Sequence, residues 1–165
     1  MDVLVLGLGN ILLGDEGVGV RIVETLADCY DLPPEVETLD GGTSGMDLLN
    51  AVAGRDHLIV ADAVNLDAEP GSVVRIADDD VQAFFRTRIS PHQIGLSDLL
   101  AALVLLDEAP ARVTIIGVVP EDLGLGTDLS PCATVARGEA AALVAAELRD
   151  LGLAVSPRRE RVGVE

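Results

Sequence analysis

The chain has 165 residues, of which 11 are basic, 28 acidic and none lysine, giving a formal charge of −17, and 49% are apolar. That length fits one domain with a sizeable core. The charge excludes nucleic-acid binding by phosphate neutralisation and attraction to an anionic membrane surface; a basic peptide or a metal cation is the more natural partner, and plain solubility is the bland reading of the same number.

Val3 to Leu8 is an unbroken apolar run, rich in β-branched and Leu residues and ending in Gly7 and Gly9, which predicts a strand buried on both faces of a parallel sheet. Asn10 to Gly14 reads as a turn, and Asp15-Glu16 opens a helix running from Gly17 to about Tyr30, with Asp15 as its N-cap. Asp31-Leu32-Pro33-Pro34 breaks the pattern. Val36 to Leu39 is a second strand, followed by Asp40-Gly41-Gly42-Thr43-Ser44-Gly45 and a helix from about Met46 to Ala53 with Met46, Leu49 and Val52 on one face. Leu58 to Ala61 is a third strand running into Asp62. Val73 to Ile76 alternates, as an antiparallel or edge strand does, and Asp78-Asp79-Asp80 starts a short helix carrying Val81, Phe84 and Phe85. Thr87 to Ser97 reads as irregular, with Pro91 forcing Ser90 to extended geometry. Ser97 is the expected N-cap of a helix to about Asp107. Val113 to Val119 is a fifth strand, and a glycine-rich loop leads to Pro131 in the first turn of a last helix ended by Gly152.

This alternation predicts an α/β fold: a three-layer α/β/α arrangement around a mostly parallel, mixed five-stranded sheet, phosphorylase/hydrolase-like. Residues 1–153 form a single domain and 154–165 a flexible C-terminal tail. With only Tyr30, Phe84 and Phe85 as aromatics, the core must be built from Leu, Val, Ile and Ala. No stretch reaches the roughly 18 apolar residues of a membrane span, and the apolar opening lacks the basic lead of a signal peptide. Cys29 and Cys132 make neither a metal knuckle nor a redox pair, so buried thiols in a reducing cytoplasm are expected.

In an open α/β sheet the residues just past the C-terminal strand ends share one rim. Glu16 follows the first strand, Asp40 the second and Asp62 the third. Clustered carboxylates repel unless a cation sits among them, and His92 supplies a nitrogen. Two carboxylates and an imidazole suit a divalent transition metal, zinc or nickel. The duller readings are a helix-start carboxylate for Glu16, a backbone acceptor for Asp62, a turn brace for Asp40 and a structural loop residue for His92. His57 precedes its strand and is expected at the surface of the opposite edge.

Competing chemistries fit poorly. Gly7 and Gly9 supply two glycines of a dinucleotide fingerprint, but Leu12 stands where the third belongs and Asp15-Glu16 would repel a pyrophosphate. No serine sits in a Gly-x-Ser-x-Gly elbow, and Pro131 removes an N–H that would activate Cys132.

Gly7-Leu8-Gly9-Asn10-Ile11-Leu12-Leu13-Gly14-Asp15-Glu16-Gly17-Val18-Gly19, Asp40-Gly41-Gly42-Thr43, Ala61-Asp62-Ala63 and Ser90-Pro91-His92-Gln93-Ile94-Gly95, in that order, resemble the hydrogenase maturation endopeptidases. The resemblance runs from about Val3 to about Leu151. It implies a peptidase that removes the C-terminal extension of a nickel–iron hydrogenase large-subunit precursor after nickel insertion. It also implies metal-recognising residues at Glu16, Asp62 and His92, and an activity-supporting position at Asp40. The metal implied is nickel carried by the nickel-loaded precursor, the expected partner, with zinc or cadmium able to occupy the same site in the isolated protein. The expected setting is cytoplasmic, with neither nucleic acid nor membrane as partner. The alternative function is a non-catalytic metal-sensing checkpoint protein in hydrogenase assembly.

Overall fold

A computed structural model describes residues 1–87 and 91–159, apart from the side chains at 87, 91, 92 and 94. In chain order the elements are β1 (Val3–Leu8), a 3-10 turn (Gly14–Gly17), α1 (Val18–Cys29), β2 (Tyr30–Asp31), β3 (Val36–Gly42), a 3-10 turn (Met46–Leu48) and α2 (Leu49–Val52). They continue with β4 (His57–Ala63), β5 (Val73–Ala77), α3 (Asp79–Thr87), α4 (Pro91–Leu105), β6 (Arg112–Val118), α5 (Pro131–Asp150) and β7 (Ser156–Pro157). The main sheet has five strands in the order β3-β1-β4-β6-β5. All neighbours are parallel except β5, which runs antiparallel to β6. The expected mixed α/β/α architecture is what the chain forms.

Side chains alternate across a strand, so an unbroken apolar run serves two cores. Val3, Val5, Ile59 and Ile116 pack with Ile22 and Leu26 of α1 and Val144 and Leu148 of α5. Leu4, Leu6, Leu58 and Ile115 pack on the other face with Val52, Phe84, Leu99 and Leu103. Among the described residues no helix is long and apolar enough to cross a membrane.

Several local expectations are corrected. Residues 91–97 are helical, so α4 begins at Pro91 rather than near Ser97. A proline is well suited to the first helical position, where its missing N–H costs nothing. The expected extended backbone at Ser90 lies outside the described residues. Met46 is exposed, while Leu48 and Val52 carry the burial, because the segment opens as a 3-10 turn and rotates the buried stripe. The second strand extends to Gly42 and takes Asp40 into the sheet edge. Cys29 is exposed rather than buried, since the buried stripe of α1 ends at Leu26.

His57 is the clearest reversal. It is the first residue of β4, at the edge of the sheet opposite the rim, yet only 1% exposed. Its Nε2 meets Thr114 Oγ1 of β6 at 2.8 Å. At the other end of the chain, β7 pairs antiparallel with β2, and the Arg158 N–H donates to the Cys29 carbonyl at 2.8 Å. These contacts hold residues 156–158 against the end of α1, at the start of the segment expected as a free tail. Residues 160–165 lie outside the described residues.

Candidate active site

Because β3, β1, β4 and β6 are parallel, their last residues share one edge of the sheet. Asp40 and Ala61 lie opposite Gly7 from its two sides, and Asp62 is one residue further out on β4. Asp40 and Asp62 therefore stand on strands separated by β1, roughly 10 Å apart by the usual strand spacing. They also face different ways. Leu39 packs with the α2–α4 layer, so Asp40 alternates away from it, beside the turn that follows β1.

Asp40 is exposed, and its Oδ1 accepts the Gly42 N–H at 2.9 Å, bracing its own turn. With Gly9, Asn10, Ile11, Leu12, Gly42 and Thr43 it lines a groove of about 310 Å³. Two larger hollows among the described residues, by the β2–β7 ribbon and between α3 and α4, include neither Asp40 nor the expected ligand positions.

Asp62 is 2% exposed. Its Oδ1 accepts the Ala63 N–H at 2.8 Å and its Oδ2 accepts the Gln93 side-chain amide at 3.3 Å. Gln93 is itself buried, in the first turn of α4, and also donates to the Ala63 carbonyl at 3.3 Å. His92 is the residue immediately before it, so its backbone belongs to the same turn. The His92 side chain lies outside the described residues.

Glu16 sits in the 3-10 turn Gly14–Gly17, which packs against β4. Gly14, Asp15 and Gly17 are buried and Glu16 is the one of the four that is not. Gly9 makes this arrangement fit. Its φ is +126°, and a methyl group there would overlap the Glu16 carbonyl.

A family model described as HycI, hydrogenase maturation protease, matches residues 20–147. The hydrogenase 2 maturation protease of Escherichia coli (strain K12) is 49% identical over 159 residues, covering 96% of this chain and 97% of that one. The hydrogenase expression/formation protein HupD of Rhodobacter capsulatus is 43% identical, covering 93% of this chain and 74% of its own. The solved structure of the hydrogenase maturating endopeptidase HybD from E. coli superposes with a TM-score of 0.91 at 48% identity, covering 96% of this chain and 98% of that one. This chain belongs to the hydrogenase maturation protease family. A structure of HybD from Thermococcus kodakarensis, at 29% identity, keeps a TM-score of 0.74 over 87% of this chain and 97% of its own.

The protease is thus a peptide-bond hydrolase. Among the described residues no three His, Cys, Asp or Glu side chains form a group that could hold a metal ion, and the imidazole of His92 is outside that set. The carboxylates of Glu16 and Asp62 are donors of the type a divalent transition metal accepts.

Sequence reasoning undervalued two residues of the protease. Gln93 was only part of a motif, yet it is the side chain that ties α4 to Asp62. Asp15 is not a helix cap: the 3-10 turn has no side-chain cap, and Asp15 is fully buried. Its Oδ1 accepts the Ser130 N–H at 2.7 Å. Its Oδ2 accepts Ser130 Oγ–H at 2.6 Å and the N–H groups of Glu121 at 2.9 Å and Asp122 at 3.1 Å. Burial alone would raise the Asp15 carboxyl, but the donors of Ser130, Glu121 and Asp122 outweigh it and hold it below its ordinary value. The one available signal was its place in a glycine-bounded turn, because every partner is more than a hundred residues away in the chain.

Proposed function

We propose that this protease removes the C-terminal extension of a nickel–iron hydrogenase large-subunit precursor after nickel insertion, and that Glu16, Asp62 and His92 contact the nickel the precursor already holds. The observation that supports the reading is the Gln93–Asp62 hydrogen bond, which joins the turn bearing His92 to the strand end bearing Asp62. The 3-10 turn bearing Glu16 packs on that same strand, β4.

In this reading the metal is part of the substrate, and its contact with the three side chains fixes where the scissile bond lies. Glu16 and Asp62 bring negative charge to a cation and His92 a neutral nitrogen. Asp40 serves as base or orienting group for the attacking water from across β1. The nickel-loaded precursor is the partner and the cytoplasm the setting; zinc or cadmium can stand in for nickel in the isolated protein. Membership of a protease family favours hydrolysis over a purely sensing checkpoint role.

The test compares release of the C-terminal peptide from nickel-loaded and nickel-free precursor. Release from the loaded form alone is expected, and it is lost when Glu16, Asp62 and His92 are replaced together. Equal cleavage of both precursors, or cleavage unaffected by the triple replacement, would overturn the proposal.

A further inference from the structure

Asp15 has no part in that reading, yet its buried carboxylate accepts four side-chain hydrogen bonds. All four of its side-chain hydrogen bonds go to the segment 121–130, which connects β6 to α5. The backbone repeats the connection. The N–H groups of Gly14 and Asp15 donate to the carbonyls of Gly126 and Asp122, each at 2.8 Å, and the Gly126 N–H donates to the Leu12 carbonyl at 2.8 Å. Gly14 has φ +55°, and a Cβ there would lie 2.6 Å from the Asp122 carbonyl oxygen, so the two segments meet as closely as backbone allows. A buried carboxylate bonded to N–H and O–H donors makes charge-assisted bonds, stronger than neutral ones.

What this clasp holds is unusual. Leu129 packs on the core at the end of the loop, but Leu123 is 52% and Leu125 is 90% exposed, and Leu12 on the facing turn is 55% exposed. Between its anchored ends, Val119 and Leu129, the loop is held by the buried Asp15 carboxylate while Leu123 and Leu125 face outward. Exposed aliphatic groups on a fixed frame mark a contact surface when they adjoin a ligand groove. The surface is continuous with the candidate active site, because Leu12 both lines the groove containing Asp40 and bonds to Gly126.

Building on the proposed cleavage reaction, we infer that the loop from Val119 to Ser130 is a substrate-contacting wall of the active-site rim. Leu123 and Leu125 take an apolar stretch of the precursor beside its scissile bond, and Asp15 is the positioning residue that fixes the wall in place. No covalent role falls to Asp15. Its effect is to present the wall already ordered, so that binding does not bear the cost of ordering it.

The experiment is steady-state cleavage of nickel-loaded precursor by the wild type, by the double variant Leu123→Ser/Leu125→Ser and by Asp15→Asn, with thermal melting and amide hydrogen exchange on each. Losing two buried aliphatic contacts raises KM by about tenfold or more, with kcat within about twofold. Melting of the double variant is unchanged, because both side chains are exposed in the free protein. Asp15→Asn turns an acceptor into a donor among four donors. It raises KM in the same direction and speeds exchange at the Asp122 and Gly126 amides. If Asp15→Asn does not fold, Ser130→Ala, which removes one of the four bonds, takes its place and gives a smaller KM rise. An unchanged KM in the leucine variant overturns the inference, as does a clasp variant that loses stability or kcat with KM intact. Wild type that cleaves while the leucine variant cleaves equally well overturns this inference alone. Wild type that leaves nickel-loaded precursor uncut overturns the underlying function, and this inference with it.

Discussion

Gln93 reaches from α4 to donate its side-chain amide to Asp62 Oδ2 at the end of β4, 3.3 Å away. Both residues are at least 95% buried, so the bond lies between groups with little access to water. Replacing Gln93 by Leu leaves a buried carboxylate without this donor, at a cost of about 1–3 kcal/mol. The expected outcome is a lower denaturant midpoint together with a loss of precursor cleavage larger than that stability change explains. A Gln93→Leu variant that melts early but cleaves normally while folded would detach α4 from the site.

Asp40 braces its turn through Oδ1, and that role survives in an amide. Asp40→Asn keeps an oxygen to accept the Gly42 N–H, which lies at 2.9 Å. It removes only the negative charge and the capacity to take a proton. The expected result is kcat lowered by about 10²- to 10⁴-fold, the usual range for a lost general base, with an unchanged melting temperature. Retained kcat would leave Asp40 as a turn brace and nothing more.

His57 predicts a pH dependence of stability. Burial first, then the nearby Arg112, holds its imidazole below the ordinary value of 6.5. The unfolded chain takes up a proton as the pH drops below about 6.5, and the folded chain does not until lower pH. Stability from this group is therefore complete above about 6.5 and declines as pH falls from there towards the depressed native value. Urea titrations between pH 8 and 5 should show that decline in the wild type and a reduced slope in His57→Gln. Glu147 adds a separate slope further into acid. Its hydrogen bonds from Arg75, at 2.9 and 2.7 Å, hold its carboxyl below 4.5, so its contribution is lost as the pH falls past that point.

Gly9→Ala tests how the rim is joined to the turn bearing Glu16. The residue is held at φ +126°, and an added methyl group meets the Glu16 carbonyl. The expected cost is about 1–3 kcal/mol from backbone strain, seen as a lower unfolding midpoint. Cleavage should fall as well, because relief of the overlap moves the Glu16 backbone. Unchanged stability and activity would mean that the turn accommodates the side chain without shifting.

Elements whose cause is local were legible in the chain. The run Val3 to Leu8 reads as a doubly buried strand because every one of its residues is apolar, and the structure buries all six. Val73 to Ile76 alternates and becomes the antiparallel edge strand β5. Pro131 and Gly152 mark the ends of the last helix because one lacks the N–H a helix start can spare and the other adopts φ +85° without strain. The helix beginning at Pro91 was not legible, since a proline starts a helix as readily as it breaks one.

The succession of the main strands and helices, the apolar faces and the family motifs can be read from the chain alone, because these rest on residue type and short-range periodicity. The roles of His57 and Asp15 emerge from the folded chain. An imidazole at a strand's first residue becomes buried when β6 supplies Thr114, and a carboxylate at a helix mouth becomes a clasp when Ser130 arrives from 115 positions away. Burial and hydrogen-bond partners belong to chain segments that meet only on folding, and no local pattern encodes them.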